Sequence, residues 1–433
     1  MKKKSIQEIY EIYLSHPKIT KDSRQISEGC IYFSLSGENF DGNKFAEDAI
    51  KKGAAFAVVD KEEYCKGDRY LLVEDSLECL QELARHHRRK LNIPIIGITG
   101  SNGKTTTKEL IHAVLASHYK TFATAGNYNN HIGVPLSILS INKEHEMAVI
   151  EMGANHQGEI DFLSHISMPN YGMITNIGKA HLEGFGGIEG VKKGKSELYR
   201  YLEKVDGLVF LNADDPVLED LAEKNSVLRY GTSAEADCKA ELEQAQPILK
   251  GSWQFGDFKG TIDAKIYGSY NFYNMLAAIC IGNYFKVPAE KIDKAVNSYE
   301  SENNRSEIRK VGDHTIYLDA YNANPSSMRL AIDNFKQLSV AQEDKILILG
   351  DMFELGTDSK IEHMEIIAHC QAQEFGKVLF VGKHFSEVAA KQNALSVETT
   401  AEAKNWYKQQ KKEGAHILIK GSRGMALEKI LAD

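Results

Sequence analysis

Cysteine is scarce and scattered in this chain. Cys30, Cys65, Cys79, Cys238, Cys280 and Cys370 include no Cys-x-x-Cys pair. That spacing excludes a zinc knuckle and a dithiol redox motif, and it points to free thiols in a reducing compartment. Long apolar runs are missing as well, and no stretch approaches the ~18 residues of a membrane-spanning helix. The lysines of MKKKSIQEIYEIYL lead into no apolar secretory core. Instead Ile6, Ile9, Tyr10, Tyr13 and Leu14 fall on one helical face. A cytoplasmic protein with no membrane partner is expected. The positive excess of a general nucleic-acid binder is also absent, because 52 Lys and Arg face 60 Asp and Glu for a formal net charge of −8. Anionic small molecules remain possible ligands of such a chain, at helix N-termini and lysines. Internal repeats and low-complexity tracts are not seen.

What is present is an ordinary globular composition, 42% apolar and 26% charged, over 433 residues. Single cores rarely grow past ~250–300 residues, so two or three domains are expected. Apolar strand-like runs alternate with helical segments, which predicts an α/β fold of parallel sheets with crossover helices. The first block covers residues 1–91 and closes on the basic RHHRRKLN (Arg85–Asn92), read as a helix end and linker. The second covers 92–302 and opens on the strand Pro94–Thr99. The third covers 303–433, beyond the polar SYESENNR, with strands expected at Thr315–Leu318, Lys345–Leu349, Lys377–Val381 and His416–Ile419. Ligands of such sheets collect beyond the carboxyl ends of the strands. Polar residues follow the apolar runs with regularity here: Gly100 after PIIGIT, Glu151 after MAVI, Asn176 and His181 after YGMI, Asp319 after TIYL, Asp351 after KILILG, and Gly421 to Arg423 after HILIK. A cleft shared by the second and third blocks is predicted.

The sharpest motif is Gly100-Ser101-Asn102-Gly103-Lys104-Thr105-Thr106, placed between a strand and a helix whose Leu110, Ile111, Val114 and Leu115 share a face. Glycines let backbone N–H groups wrap phosphate, the lysine reaches the outer phosphates and the threonine hydroxyl ligates Mg²⁺. Only two residues separate the glycines, and Ile98 stands where the usual first glycine would be. The segment reads as a nucleoside triphosphate site. Glu151, at a strand end, is suited to a metal or a water, or to capping a helix, and Asn155 and His156 suit the same capping role. His181 reads equally as a loop histidine. Lys195, in VKKGKSELY, reads by itself as a solvated helix lysine, and a protonated lysine does not ligate Mg²⁺. Taken together the set points to ligation. A carboxylate resists attack by an amine until ATP converts it to an acyl phosphate, and cations must then neutralise two converging anions. Lys104, Mg²⁺ and an arginine would supply them, with Thr105, Glu151 and His181 as the metal shell.

In order and spacing, TGSNGKTTTKE, GNYNNHIGVPLS, IEMGANHQGEI, TNIGKAHLEGFG, KGKSELY, LNADDP, DAYNANPSSM, LGDMFELG and IKGSRGM resemble the Mur ligases from about Asp22 to Leu427. The resemblance implies a central P-loop parallel-sheet ATPase domain, flanked by an N-terminal α/β UDP-substrate domain and a C-terminal Rossmann-like domain. It implies an ADP-forming ligase of the cytoplasmic peptidoglycan precursor, using ATP and two Mg²⁺. By that resemblance Lys104 contacts the outer phosphates, Thr105 and Glu151 bind one Mg²⁺, and His181 binds the second. Lys195 is a carbamylated lysine, which makes it a carboxylate-like metal ligand and, with Lys104, Glu151 and His181, a catalytic group. Asn274 contacts adenine, Arg305 the γ-phosphate and Asp319 the ribose. Ser23, Arg24 and Asp41 fall in the UDP-binding segment, and Asn129 and Asn130 on the substrate side. Tyr321, Asn322, Asn324, Ser422 and Arg423 lie where the dipeptide is oriented.

Three positions depart from the family pattern: Tyr270 for a histidine, Leu318 for the first aspartate of a pair, and Ser36 for a lysine. The motifs look most like the branch that joins D-Ala-D-Ala to UDP-N-acetylmuramoyl-tripeptide, acting as a monomer. The alternative branch adds lysine or diaminopimelate to the dipeptide and carries an Asp-Asn-Pro-Arg signature where this chain reads LGDMFELG. Folylpolyglutamate synthetase lacks GANHQGEI and HLEGFG in this form. A regulatory P-loop ATPase has no use for His181 and Lys195 beside Glu151.

Overall fold

The apolar runs form three large sheets, beside a two-stranded hairpin of Ser36–Gly37 and Phe40–Asp41, in the computed structural model, which describes residues 2–246, 248–301, 305–410 and 413–432. The first sheet orders Ile19–Thr20, Ile31–Phe33, Phe56–Val59 and Tyr70–Leu72 side by side, all parallel. The helix Ile6–Ser15 begins at a capping box between Ser5 and Glu8 and buries Ile9, Tyr10 and Tyr13. Leu14, expected on the same face, is 57% exposed. It sits in the last turn, where the face has rotated past the core.

The basic segment at Arg85–Asn92 is the end of the helix Ser76–Arg88, but it is no open linker. His87 and Arg88 are buried. The Arg88 guanidinium donates to the carbonyls of Ser167 and Met168 at 2.9 Å each and to Asn170 Oδ1 at 3.1 Å. The last carbonyls of the helix Glu159–Ser167 need such donors, because a helix end leaves them unpaired. Tyr13 and Leu83 accordingly share one apolar core with Ile150 of the next sheet and with Leu136 and Leu163 on helices that cover it.

That second sheet has nine strands. Thr121–Ala123, Met147–Glu151, Ile95–Thr99, Tyr171–Ile174, Leu208–Asn212, Ser226–Gly231 and Cys238–Gln244 run parallel in that spatial order, and Leu249–Phe255 and Phe258–Ala264 extend them antiparallel. Its register sets Ile98 beside Glu151 and Thr99 beside Ile174, so three strand ends finish together.

The third sheet orders Glu307–Val311, His314–Asp319, His416–Lys420, Lys345–Gly350, Lys377–Val381 and Ser396–Val397, parallel except for its first pair. It has its own apolar core on each face. Four of these strands are those read from the sequence. The expected boundary at 302/303 lies outside the described residues. Among the described residues the six cysteines are free and no helix is long and apolar enough to cross a membrane.

Candidate active site

The phosphate loop is built from backbone conformations that only glycine adopts cheaply. Gly100 has φ +142° and Gly103 φ +79°. A Cβ on Gly100 would lie 2.0 Å from Thr175 Oγ1. Thr175 and Asn176, at the end of the neighbouring strand, brace the loop: Thr175 Oγ1 donates to Asn102 O at 2.6 Å, and Asn176 Oδ1 accepts from Asn102 N at 3.1 Å. Gly103 starts the helix Lys104–Ala116 without a side-chain cap, which leaves the first amides to an anion. Gly100→Ala is therefore expected to abolish nucleotide binding while leaving the overall fold, measured by calorimetric ADP titration alongside circular dichroism.

Lys104 lies folded on this loop, donating from Nζ to Gly100 O at 2.6 Å and Ser101 O at 3.3 Å. Burial lowers its pKa, an effect opposed by Glu151 and reinforced by Arg305. Thr105 and Thr106 are buried beside it. Glu151 is 2% exposed. Its Oε1 accepts from Asn129 Nδ2 at 2.8 Å, while its Oε2 is buried with no partner. It caps no helix. Glu197 takes that role for the helix Glu159–Ser167, accepting from Gly158 N at 2.6 Å and Asp161 N at 2.9 Å. Asn155 and His156 are not caps either, since both donate backbone N–H to the Glu159 carboxylate. Asn130 instead holds the turn that leads into the helix Gly133–Leu139, its Oδ1 accepting from Ile132 N and Gly133 N.

Lys195 overturns its solvated reading. It is 1% exposed, its Nζ donates to Ala154 O at 3.1 Å, and it lies 4.9 Å over the Phe185 ring. Burial pulls its pKa well below the ordinary lysine value, and Lys104 adds to the shift. His181 follows the strand Tyr171–Ile174 in a left-handed conformation, with Nδ1 against the Glu354 carboxylate of the third sheet's domain. That contact holds the Glu354 carboxyl below its usual range.

The opposite wall comes from the third sheet. Arg305 stacks its guanidinium 3.5 Å over Tyr321, and its buried Nε has no partner. Asp319 accepts from Lys420 Nζ across the adjacent strand at 2.5 Å. Asn324 caps the helix Pro325–Lys336 and also donates from Nδ2 to Asn102 Oδ1 of the phosphate loop at 2.7 Å. Beside it Lys179 N donates to Ser326 Oγ at 3.0 Å, and Lys179 Nζ pairs with Glu362 at 2.6 Å. The two domains are thus closed on one another. Asn324→Ala removes both the cap and the bridge. It should destabilise the third domain by about 1 kcal/mol and raise KM for ATP, checked by chemical denaturation and initial rates.

The cleft between the two domains holds a cavity of about 560 Å³ that remains open to solvent on one side. Its walls bring together Ser101 to Thr106, Asn129, Asn130, Glu151, His181, Asn274, Arg305, Asp319, Tyr321 and Asn322. Lys195 lies just behind the wall, bonded to Ala154, which lines it. Asn274 packs under the loop, its Oδ1 3.0 Å from where a Gly103 Cβ would be.

Other expected residues lie elsewhere. Arg24 is exposed and paired with Asp22 at 2.8 Å, and Ser23 O accepts from Lys52. Asp41 pairs with Lys61 at 2.6 Å and holds the turn through Asn43. Ser422 is buried, its Oγ accepting from Phe353 N, and Arg423 lies 5.6 Å from the Tyr321 ring. Lys420 was passed over by the sequence reading, although it stands at a strand end like the others. Tyr270 also lines the cavity and bonds Ser306 Oγ at 2.9 Å, which ties the helix Tyr270–Tyr284 to the third domain.

Three family models match in sequence: the Mur ligase family catalytic domain at 18–88, the Mur ligase middle domain at 98–282, and the Mur ligase glutamate ligase domain at 304–423. The UDP-N-acetylmuramoyl-tripeptide–D-alanyl-D-alanine ligase of Bacillus subtilis is 35% identical over 451 aligned positions, covering 99% of this chain and 97% of that protein. The enzyme of that name from Escherichia coli is 30% identical over 95% and 92%. The crystal structure of MurF from Acinetobacter baumannii superposes with TM-score 0.86 at 31% identity over 96% and 92% of the two chains. MurF ligase from Thermotoga maritima in complex with ADP does so with TM-score 0.83 at 27% identity, over 96% of each. Matches across all three sheets, with this identity along nearly the whole length, place the chain in the Mur ligase family.

Proposed function

We propose that this chain joins D-Ala-D-Ala to UDP-N-acetylmuramoyl-tripeptide with ATP hydrolysed to ADP and phosphate, completing the cytoplasmic peptidoglycan precursor. The observation that carries the reading is the cleft itself. A phosphate loop, the unpartnered oxygen of Glu151 and the unpartnered Nε of Arg305 share one cavity closed by the third domain.

The loop amides at the start of the helix Lys104–Ala116 hold the outer phosphates of ATP. Lys104 leaves its own loop carbonyls for those phosphates, and Arg305 reaches them from the other wall. Their charge lets the tripeptide carboxylate approach the γ-phosphorus, giving an acyl phosphate and ADP. The dipeptide amine then attacks the acyl carbon and phosphate leaves. Closure keeps water from the acyl phosphate. Asn274 lies on the adenine side and Asp319, held by Lys420, on the ribose side. Asn129, Asn130, Tyr321 and Asn322 face the substrates. Ser422 and Arg423 support the dipeptide end, and Ser23, Arg24 and Asp41 the UDP end.

Among the described residues no three His, Cys, Asp or Glu side chains converge as a metal site. Mg²⁺ usually takes few protein ligands and completes its shell with waters and phosphate oxygens. The orphaned Glu151 Oε2 and the Thr105 hydroxyl fit one such ion, and His181 a second. Bound there, Mg²⁺ supplies charge neutralisation for the two converging anions. Burial eases loss of the Lys195 proton, and the neutral amine so formed would add to CO₂: the N–C bond forms, a proton leaves, and the product is a carbamate anion.

The test is phosphate release from ATP with UDP-N-acetylmuramoyl-tripeptide, with and without D-Ala-D-Ala, and mass analysis of the product. Release that requires both, with pentapeptide formed, is expected. Release indifferent to the dipeptide would overturn the reading.

A further inference from the structure

Nothing in the mechanism above uses Glu354, although its geometry is unusual. It has φ +62°, and the residue it meets, His181, has φ +52°. Left-handed backbone is disfavoured for any residue with a Cβ, and it persists where the surroundings over-determine it. Here they do. Met352 N donates to His363 Nε2 at 3.1 Å, and Phe353 N donates to Ser422 Oγ at 3.1 Å. On the far side Leu355 is buried in the third domain's core. Gly356 packs on the middle domain, where a Cβ would lie 3.2 Å from the Glu183 side chain. The loop is therefore pinned before and after Glu354, and the carboxylate is carried to His181 across the domain boundary.

Stability does not account for this arrangement. The Glu354 side chain is 56% exposed, and half-exposed ion pairs contribute little, while two left-handed residues cost more than such a pair returns. What the contact does meet is a ring nitrogen: the carboxylate lies within ion-pair range of Nδ1, a buried atom that makes no hydrogen bond among the described residues. His181 lines the cavity, and a carboxylate at one imidazole nitrogen sets the tautomer and the orientation of the other.

We propose that Glu354 is a positioning residue: arriving with the third domain, its carboxylate fixes His181 at Nδ1 and leaves Nε2 as the nitrogen offered to the cleft. The inference rests on the reading of His181 as a group that faces the reacting phosphates. It makes readiness of His181 conditional on closure, so that the site assembles only when the domain carrying the dipeptide side has docked.

The test combines kinetics with a direct view of the ring. Glu354→Ala should lower kcat about 10- to 100-fold, the range seen when the partner that orients a ligating histidine is lost, with KM for ATP changed far less. Glu354→Gln, whose amide oxygen still accepts from Nδ1–H, should recover part of it. Lys179→Ala breaks the neighbouring interdomain pair with Glu362 and should instead act mainly on KM. In ¹⁵N-histidine-labelled protein, with the His181 signal assigned by its loss in His181→Gln, the wild type should show the proton on Nδ1. Glu354→Ala should return the ring to the mixture of free imidazole. His181→Ala combined with Glu354→Ala should be no worse than His181→Ala alone. A Glu354→Ala effect confined to KM like that of Lys179→Ala, additive losses, or an unchanged ring signal would overturn the proposal. Full activity in His181→Ala would overturn the reading of His181 beneath it, and that outcome is recognised separately.

Discussion

Lys195→Ala lowers kcat about 10²- to 10³-fold, the scale on which removing one preorganised electrostatic group acts, and bicarbonate or a short carboxylic acid restores part of the loss. The expectation follows from burial. A lysine 1% exposed, bonded to a single carbonyl and lying over Phe185, makes no ion pair among the described residues, and the Glu159 and Glu197 carboxylates offset its desolvation only in part. Desolvation therefore favours the neutral amine, and the nearby Lys104 charge pushes the same way. Only a neutral amine adds to CO₂, so this burial is the feature that would favour the proposed carbamate at Lys195. The resulting anion relieves the like-charge contact with Lys104. In the alanine variant the vacated space admits a small carboxylate in the same position. Steady-state rates with and without added acid, beside a thermal melt, check this. A folded variant that no acid rescues would refute the carbamate.

Lys104→Ala should abolish turnover by a comparable factor, about 10³-fold, because the phosphate charge then develops with no cation from the loop. The fold should remain. Among the described residues Lys104 Nζ hydrogen-bonds to carbonyls of its own loop, Gly100 and Ser101, and its loss leaves the loop braced by Thr175 and Asn176. Coupled phosphate release and ADP titration separate the two effects: turnover disappears, whereas the adenine side around Asn274 still binds. Turnover within tenfold of the parent chain would contradict the role.

How much of this was legible in the sequence depended on how local the physics was. Strand ends were readable, since an apolar run followed by a polar residue carries its own meaning in a parallel sheet. Gly100, Glu151, His181 and Asp319 were found that way, and Lys420 was available by the same rule. The cleft shared by the second and third blocks was readable by the same rule, whereas its closed arrangement was not. Non-local partners were not legible. Lys195 looks solvated in a run of lysines, and only the packing of Phe185 and Ala154 buries it. Arg24, in a turn, and Asp41, in a Gly- and Asn-rich loop, imply no ligand by composition, and their ion pairs with Asp22 and Lys61 are not readable there either. Glu151 was equally suited to capping a helix until Glu197, from another helix, took that position. The left-handed backbones of His181 and Glu354 have no signature in residue type, because neither residue is the glycine that such a φ favours.

The central claim is that the carboxylate becomes an acyl phosphate before the amine attacks, and isotope transfer tests it most directly. UDP-N-acetylmuramoyl-tripeptide labelled with ¹⁸O in its terminal carboxylate is turned over with ATP and D-Ala-D-Ala, and the released phosphate is analysed by mass. The account predicts one ¹⁸O atom in phosphate for each pentapeptide formed. Pentapeptide accompanied by unlabelled phosphate would contradict it.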